Sequence, residues 1–334
     1  MTRFRARVDG PVSAAWRQAL RDVGADFVED DSWDLVLPPM GKGSRSAVEA
    51  LRPADRRLVG VLRGADALAS KRALWACVRN AYGSAGARAL VPETFLLDDA
   101  DDHRRFAASH HEGQRWVLKH PHRQARAGVR LIERPSQARA GIEEGWVVVQ
   151  RYVPDVLTRA QHRFHVRRYV VVVVDGGRAT SFLADFGKVI YARAPDTSPP
   201  SAASMLTTSQ DGWSGPPGAP QTWALLRDDL ASRGDDTQAL EERIAQTVTQ
   251  CVAAASPSMH PEHLHRCRLF QLFGVDLLID RALHPWLLEF NKRPEMRPRG
   301  AGDGSAKLEL LRSAFRLGLD RPDQGFRRIG DCGL

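Results

Sequence analysis

The chain of 334 residues is long enough for two or three lobes, and its 43% hydrophobic, 26% charged and 7% aromatic residues make an ordinary globular composition. No apolar run approaches the ~20 residues that span a bilayer, residues 1–10 lack the apolar core of a secretory signal, and Cys77, Cys251, Cys267 and Cys332 have neither zinc nor redox-pair spacing, so a cytoplasmic chain with reduced thiols and no membrane partner is expected. A net charge of +8 and a pI near 9.7 suit an anionic nucleotide, an acidic polypeptide or nucleic acid; the basic residues are scattered and form no aromatic-studded basic motif, which disfavours nucleic acid.

Ser13 is placed to cap a helix whose Trp16, Leu20 and Val23 share a face and whose end suits Gly24. Residues 33–37 then read as a strand stopped by Pro38 and Pro39, and 58–62 as a second short buried strand. A helix over 71–82 follows, then an extended stretch at 91–95, a strand at 116–119, a basic loop and a strand at 128–132. From Trp146 stronger strands are predicted: 146–152, 163–174, the turn Asp175-Gly176-Gly177 and a return near 181–186. The Pro-, Ser- and Gly-rich stretch 194–220 reads as a long surface loop. Leu240, Ile244, Val248 and Val252 mark an amphipathic helix, followed by a strand pair at 269–280 and 286–291 and a terminal helix near 306–317.

The strand pair carries the chemistry. Both runs are apolar on both faces and should be buried. With 281–284 as a hairpin loop and Asp280 facing Pro285, Asp276 faces Glu289, and Glu289 shares a face with Asn291 by the period of two. Opposed carboxylates on a buried ladder repel. A divalent cation removes that cost, and two carboxylates with an amide oxygen are ligands that magnesium prefers. The plainer alternative is a salt-bridged Asp276 with Glu289 at an exposed strand end; convergence between two apolar runs favours the metal. Over 163–167, alternation sets Arg163, His165 and Arg167 on one face and Phe164 and Val166 on the other, which points to an anion site instead of a solvated face. Lys119 ends its strand and enters a loop holding His120, His122, Arg123, Arg126 and Gly128, from which a lysine can reach phosphates.

In order and spacing, Trp116-Val117-Leu118-Lys119, Val148-Val149-Gln150-Arg151-Tyr152-Val153, Arg163-Phe164-His165-Val166-Arg167, the run from Phe270 to Asp276 and Pro285-Trp286-Leu287-Leu288-Glu289-Phe290-Asn291 resemble the hallmarks of the tubulin tyrosine ligase family. The likeness extends upstream to Trp33-Asp34-Leu35 and Ser70-Lys71-Arg72 and covers nearly the whole chain. The resemblance implies an α/β ATP-grasp fold: a small N-terminal α/β domain over 1–70, a central lobe over 71–145 and a C-terminal lobe over 146–334, with ATP and Mg2+ held between the last two. By carry-over, Lys71 and Lys119 contact the nucleotide phosphates, and Gln150, Arg151, Tyr152 and Val153 form the hinge strand beside adenine. Arg163 stands in place of the usual lysine, as a nucleotide and catalytic residue, and Arg167, near the reacting carboxylate, and His165 complete the expected catalytic set. Asp276, Glu289 and Asn291 match the magnesium ligands.

The chain departs from the family pattern at His165, where the family has aspartate, and at Ile190, where it has arginine; Met205-Leu206-Thr207-Thr208 departs from a histidine-to-asparagine pattern at both ends. The expected activity is ATP-dependent amide formation through an acyl phosphate, adding an amino acid to a protein or peptide carboxylate. The acceptor is expected to be acidic, with tubulin a candidate but not an assumption. The alternatives are a ligase of small amino-acid or peptide substrates, and a nucleotide-binding protein that has lost ligation.

Overall fold

A computed structural model describes residues 2–39, 44–51, 57–111, 113–121, 128–196, 201–207, 215–259, 266–292, 294–298 and 301–333. The N-terminal part alternates strand and helix: β1 (Phe4–Val8), α1 (Ala14–Asp22), β2 (Ala25–Phe27), β3 (Leu35–Leu37), α2 (Ser44–Ala50) and β4 (Leu58–Val59). Its strands run parallel, as helical crossovers require, in the order β4-β3-β1-β2. Two helices, α3 (Asp66–Ala69) and α4 (Lys71–Arg88), lead to an antiparallel sheet made of β5 (Thr94–Leu96), β6 (Trp116–Lys119), β7 (Val129–Ile132) and β8 (Val148–Arg151), with α5 (Ala100–Ser109) and α6 (Pro135–Ile142) between strands. The remainder comprises β9 (Thr158–Arg159), β10 (His162–Asp175), β11 (Arg178–Tyr191), α7 (Ala202–Met205), α8 (Trp223–Ser232), α9 (Thr237–Ala255), β12 (Arg268–Ile279), β13 (Pro285–Asn291), α10 (Ala301–Gly318) and β14 (Phe326–Gly333). Among the described residues, no helix is long and apolar enough to cross a membrane.

One sheet joins the two ends of the chain. Its order is β14-β11-β10-β12-β4-β3-β1-β2, with β13 also on β12 and β9 on β10, and the parallel pairing of Arg268 with Leu58 and Leu269 with Val59 makes the joint. Phe164, Val166, Val170 and Val172 of β10 and Phe273, Val275 and Leu277 of β12 bury one face together with Leu240, Ile244, Val248 and Val252 of α9. On the opposite face Tyr169, Val171 and Val173 pack with Leu310, Leu311 and Phe315 of α10. That second face is divided along its length: α10 covers 169–173, whereas Arg163 and His165 open onto a cavity. The division creates the site.

Several local expectations change. Ser13 takes the N-cap position, but its hydroxyl makes no capping bond. The helix expected at 71–82 continues to Arg88 through a kink at Gly83, where φ is 66°. β8, placed by the sequence at the head of the C-terminal lobe, lies between β5 and β6 in the four-stranded sheet. Within 194–220 the described residues include α7 and a bridge from Thr207 to Ala192, with Ser204 and Met205 buried, so that segment is not wholly a surface loop. β14 was not anticipated; charged Arg327, Arg328 and Asp331 obscure its alternation.

Candidate functional site

A cavity of about 170 Å³ lies where the four-stranded sheet faces the open end of the large one. Half-buried Val117, Leu278 and Leu288 are among its apolar walls, and 150–153 run along it. Lys119 is drawn inward because β6 pairs with β8, setting Val117 opposite Gln150 and Lys119 opposite Val148. Its ammonium donates to Gln150 Oε1 at 2.6 Å, and the Gln150 amide donates to Thr94 Oγ1 at 2.9 Å. Gln150 thus links Lys119 to Thr94 across the sheet. Arg163 braces residues 152–154: its guanidinium donates to the carbonyls of Val153 and Pro154 and lies 4.4 Å from the centre of the Tyr152 ring.

At the other end, cations and carboxylates interlock. Arg167 donates two bonds of 2.7 Å to Asp276, its cross-strand partner. Lys71, the first residue of α4, meets Glu289 at 3.1 Å. Asn291 lies outside the cavity lining but reaches Asp276 Oδ2 at 3.4 Å. His165 Nε2 stands 3.6 Å from the same oxygen, while its Nδ1 pairs with the Thr207 hydroxyl. Burial would push the Asp276 carboxyl up, but Arg167 and then His165 outweigh it and hold the group at about 2. Burial draws Lys119 down to about 8, with Glu289 acting against it and Lys71 adding to it. His165 is also lowered by burial, which favours its neutral form.

The expected opposition of Asp276 and Glu289 is present. Their repulsion, however, is relieved by Arg167 and Lys71, so it does not by itself call for a metal. Among the described residues, no three His, Cys, Asp or Glu side chains gather closely enough to hold an ion. The donors still fit Mg2+ in kind: two carboxylates and an amide on adjacent strands, beside a buried His165 Nε2 that has no hydrogen-bond partner among the described residues. The basic loop expected to cover phosphates lies at 122–127, outside the described residues. Thr207 and the apolar walls Val117, Leu278 and Leu288 were not among the expected site residues; the walls follow from strand alternation once the core face is known.

A sequence model described as the Tubulin-tyrosine ligase family matches residues 62–175 and 219–325, which include all of these site residues except Thr207. The chain belongs to the tubulin-tyrosine ligase family. Among relatives in the family, the mouse (Mus musculus) tubulin polyglutamylase TTLL5 is 28% identical over 249 residues, covering 68% of this chain and 18% of that protein. Mouse tubulin monoglutamylase TTLL4 is 24% identical over 249 residues, covering 68% of this chain and 20% of the relative. Tubulin polyglutamylase ttll-4 of Caenorhabditis elegans is 24% identical over 312 residues, covering 87% of this chain and 50% of its own length. The chain thus spans between about a fifth and a half of these family members. Its mixed α/β architecture is the one expected of the family. Two of the expected departures from the family pattern face each other, since His165 of β10 pairs with Ile190 of β11.

Proposed function

We propose that this chain is an ATP-dependent carboxylate–amine ligase that joins a free amino acid to a carboxylate of an acidic protein or peptide through an acyl phosphate. One observation carries the reading: a single cavity is lined by the hinge residues 150–153 together with Lys71, Lys119, Asp276 and Glu289. Adenine would lie against the apolar walls with its edge toward the hinge backbone, and Lys71 and Lys119 would meet the phosphates. Among the described residues, Lys71 and Lys119 in the cavity and Arg167 bound to Asp276 outnumber the Asp276 and Glu289 carboxylates, a positive surplus suited to a polyphosphate. Asp276, Glu289 and Asn291 would hold Mg2+, which when bound offsets phosphate charge. The acceptor carboxylate attacks the terminal phosphorus as ADP leaves. The amine then attacks the acyl carbon, phosphate departs, and the amine gives up a proton. Arg167, next to Asp276, would face the charge that develops on the carboxylate. Arg163, engaged by the hinge carbonyls, is assigned a positioning role.

A second cleft of about 1160 Å³ includes Asn291, Arg63, Arg72 and Lys292, and an acidic acceptor there would compete with the Glu49, Asp98 and Asp66 carboxylates that now pair these three cations. The names of the relatives support glutamate as the amino acid and tubulin as a candidate acceptor. A cytoplasmic location is part of the same proposal. A second reading, nucleotide binding without ligation, is favoured by the direct Arg167–Asp276 bonds, which engage a residue required for the metal. The test is ATP turnover with magnesium, glutamate, glycine or tyrosine and an acidic peptide. One ADP and one phosphate per amide supports ligation. AMP and pyrophosphate would indicate adenylation, and nucleotide binding without turnover would favour the second reading.

A further inference from the structure

Strand pairing sets four charged side chains in one row on the site face of the large sheet. Lys188 of β11 lies opposite Arg167 of β10, Arg167 opposite Asp276 of β12, and Asp276 opposite Glu289 of β13. Cross-strand partners point to the same side of a sheet, with neighbouring strands about 4.8 Å apart. Three of the four have a task in the proposed chemistry; Lys188 has none. Arg167 holds Asp276 through Nε and Nη2, leaving Nη1 to meet an acyl oxygen. Lys188 is tied to Asp303 in the first turn of α10, and Asp303 also receives Lys307 at 3.0 Å. The two lysines differ in freedom. The Lys307 side chain is 3% exposed and donates to the Arg297 carbonyl at 2.6 Å, whereas that of Lys188 is 21% exposed. Lys188 can therefore leave Asp303 without stranding a buried carboxylate, because Lys307 stays on it. Other side chains of this face offer no substitute: Ile190, two residues along, is buried and apolar, and Arg163 is engaged by the Val153 and Pro154 carbonyls.

We propose that Lys188 binds the α-carboxylate of the amino acid that enters as the amine. This assignment rests on the ligase reading of the cavity and deepens it, by naming the group that selects an α-amino acid over a simple amine. Its basis is span. The amine nitrogen and the carboxyl carbon of an α-amino acid are about 2.5 Å apart. An amine attacking an acyl carbon seated at Arg167 therefore carries its carboxylate toward a neighbouring strand. On the β12 side that step leads to Asp276, which repels it; on the β11 side it leads to the Lys188 ammonium. The incoming carboxylate competes with Asp303 for Lys188, and Asp303 keeps Lys307.

The experiment measures amide formation by the full chain with ATP, magnesium and an acidic peptide. Glycine, L-glutamate and L-tyrosine are compared with their α-amides, which keep the amine and lose the α-carboxylate charge. Amidation also lowers the pKa of the amine, so the readout is the change in acid-over-amide preference between wild type and variant. Lys188→Met should reduce that preference about tenfold or more, through a higher KM for the free acid, with affinity for a non-hydrolysable ATP analogue unchanged. Lys188→Arg should recover part of it. Asp303→Asn breaks the same ion pair from the other side. A lysine that only ties β11 to α10 makes the two variants lose alike, whereas a carboxylate-binding Lys188 is released in Asp303→Asn and the preference holds or rises. An unchanged preference in Lys188→Met, or an equal loss in Asp303→Asn, would overturn the proposal and leave the ligase reading intact. Absence of amide from all three amino acids in the wild type would overturn the ligase reading and this inference with it.

Discussion

Asp276 is held by three neighbours at once: Arg167 through two bonds, Asn291 at 3.4 Å and His165 at 3.6 Å. The alternation of Arg163, His165 and Arg167 was legible in the sequence because β10 is a regular strand with a core on its other face. Their partnership with Asp276 was not, because it depends on β12 lying beside β10. Arg167→Ala should destabilise the fold by about 3 kcal/mol, since it leaves a buried carboxylate without its main cation. Asp276→Asn added to that variant should restore much of the stability and none of the turnover, as urea unfolding and ADP release would measure. The pH dependence has a definite sign. The folded-state value of about 2 lies below the ordinary 3.8, so Asp276 stabilises the fold above about pH 4 and loses that contribution as pH falls toward 2. Subtracting the unfolding free energy of Arg167→Ala from that of the wild type should show this acid loss; a difference independent of pH would refute it.

The β12–β13 hairpin reaches the expected opposition by a different path. Ile279, not Asp280, faces Pro285, and a register shift between Asp276 and Leu277 then sets Asp276 against Glu289. Leu288 is the extra residue of this bulge, which lets Leu287 turn into the core while Leu288 and Glu289 line the cavity. Counting across a presumed loop cannot reveal two offsets that cancel. The first offset arises because Asp280 belongs to the turn: its carboxylate accepts from the amides of Ala282 and His284 and from the Trp286 indole, each at 2.9 Å. Asp280→Ala should therefore cost about 2 kcal/mol by leaving these donors to weaker partners, and should weaken nucleotide binding although Asp280 is outside the cavity. Asp280→Asn, which keeps one acceptor oxygen, should recover part of both. Unchanged unfolding and nucleotide affinity in Asp280→Ala would show that the turn does not position Glu289.

Across the whole molecule, a buried ionic junction ties helices to the large sheet. Fully buried Arg168 donates to both oxygens of Glu241 on α9 at 3.1 and 3.0 Å, and its guanidinium lies 4.6 Å from the Trp223 ring centre on α8. Arg327 of β14 adds a bond to the same carboxylate at 3.2 Å. Glu241→Gln should lower stability by about 3 kcal/mol, because Arg168 stays charged in a site closed to water. Nucleotide affinity per folded molecule should hardly change, since Arg168 faces away from the cavity; a selective loss of affinity would count against this division of roles. The chain's own order of residues determined the face periods of β10, the buried pair of β12 and β13 and the family, because these follow from local alternation and from motifs kept in sequence order. Only the tertiary structure decided that Lys71 meets Glu289, that β8 joins the four-stranded sheet, and that α10 covers 169–173 while leaving Arg163 and His165 open to the cavity. Those outcomes depend on which distant apolar faces bury one another, and a local period carries no information about the partner of a face.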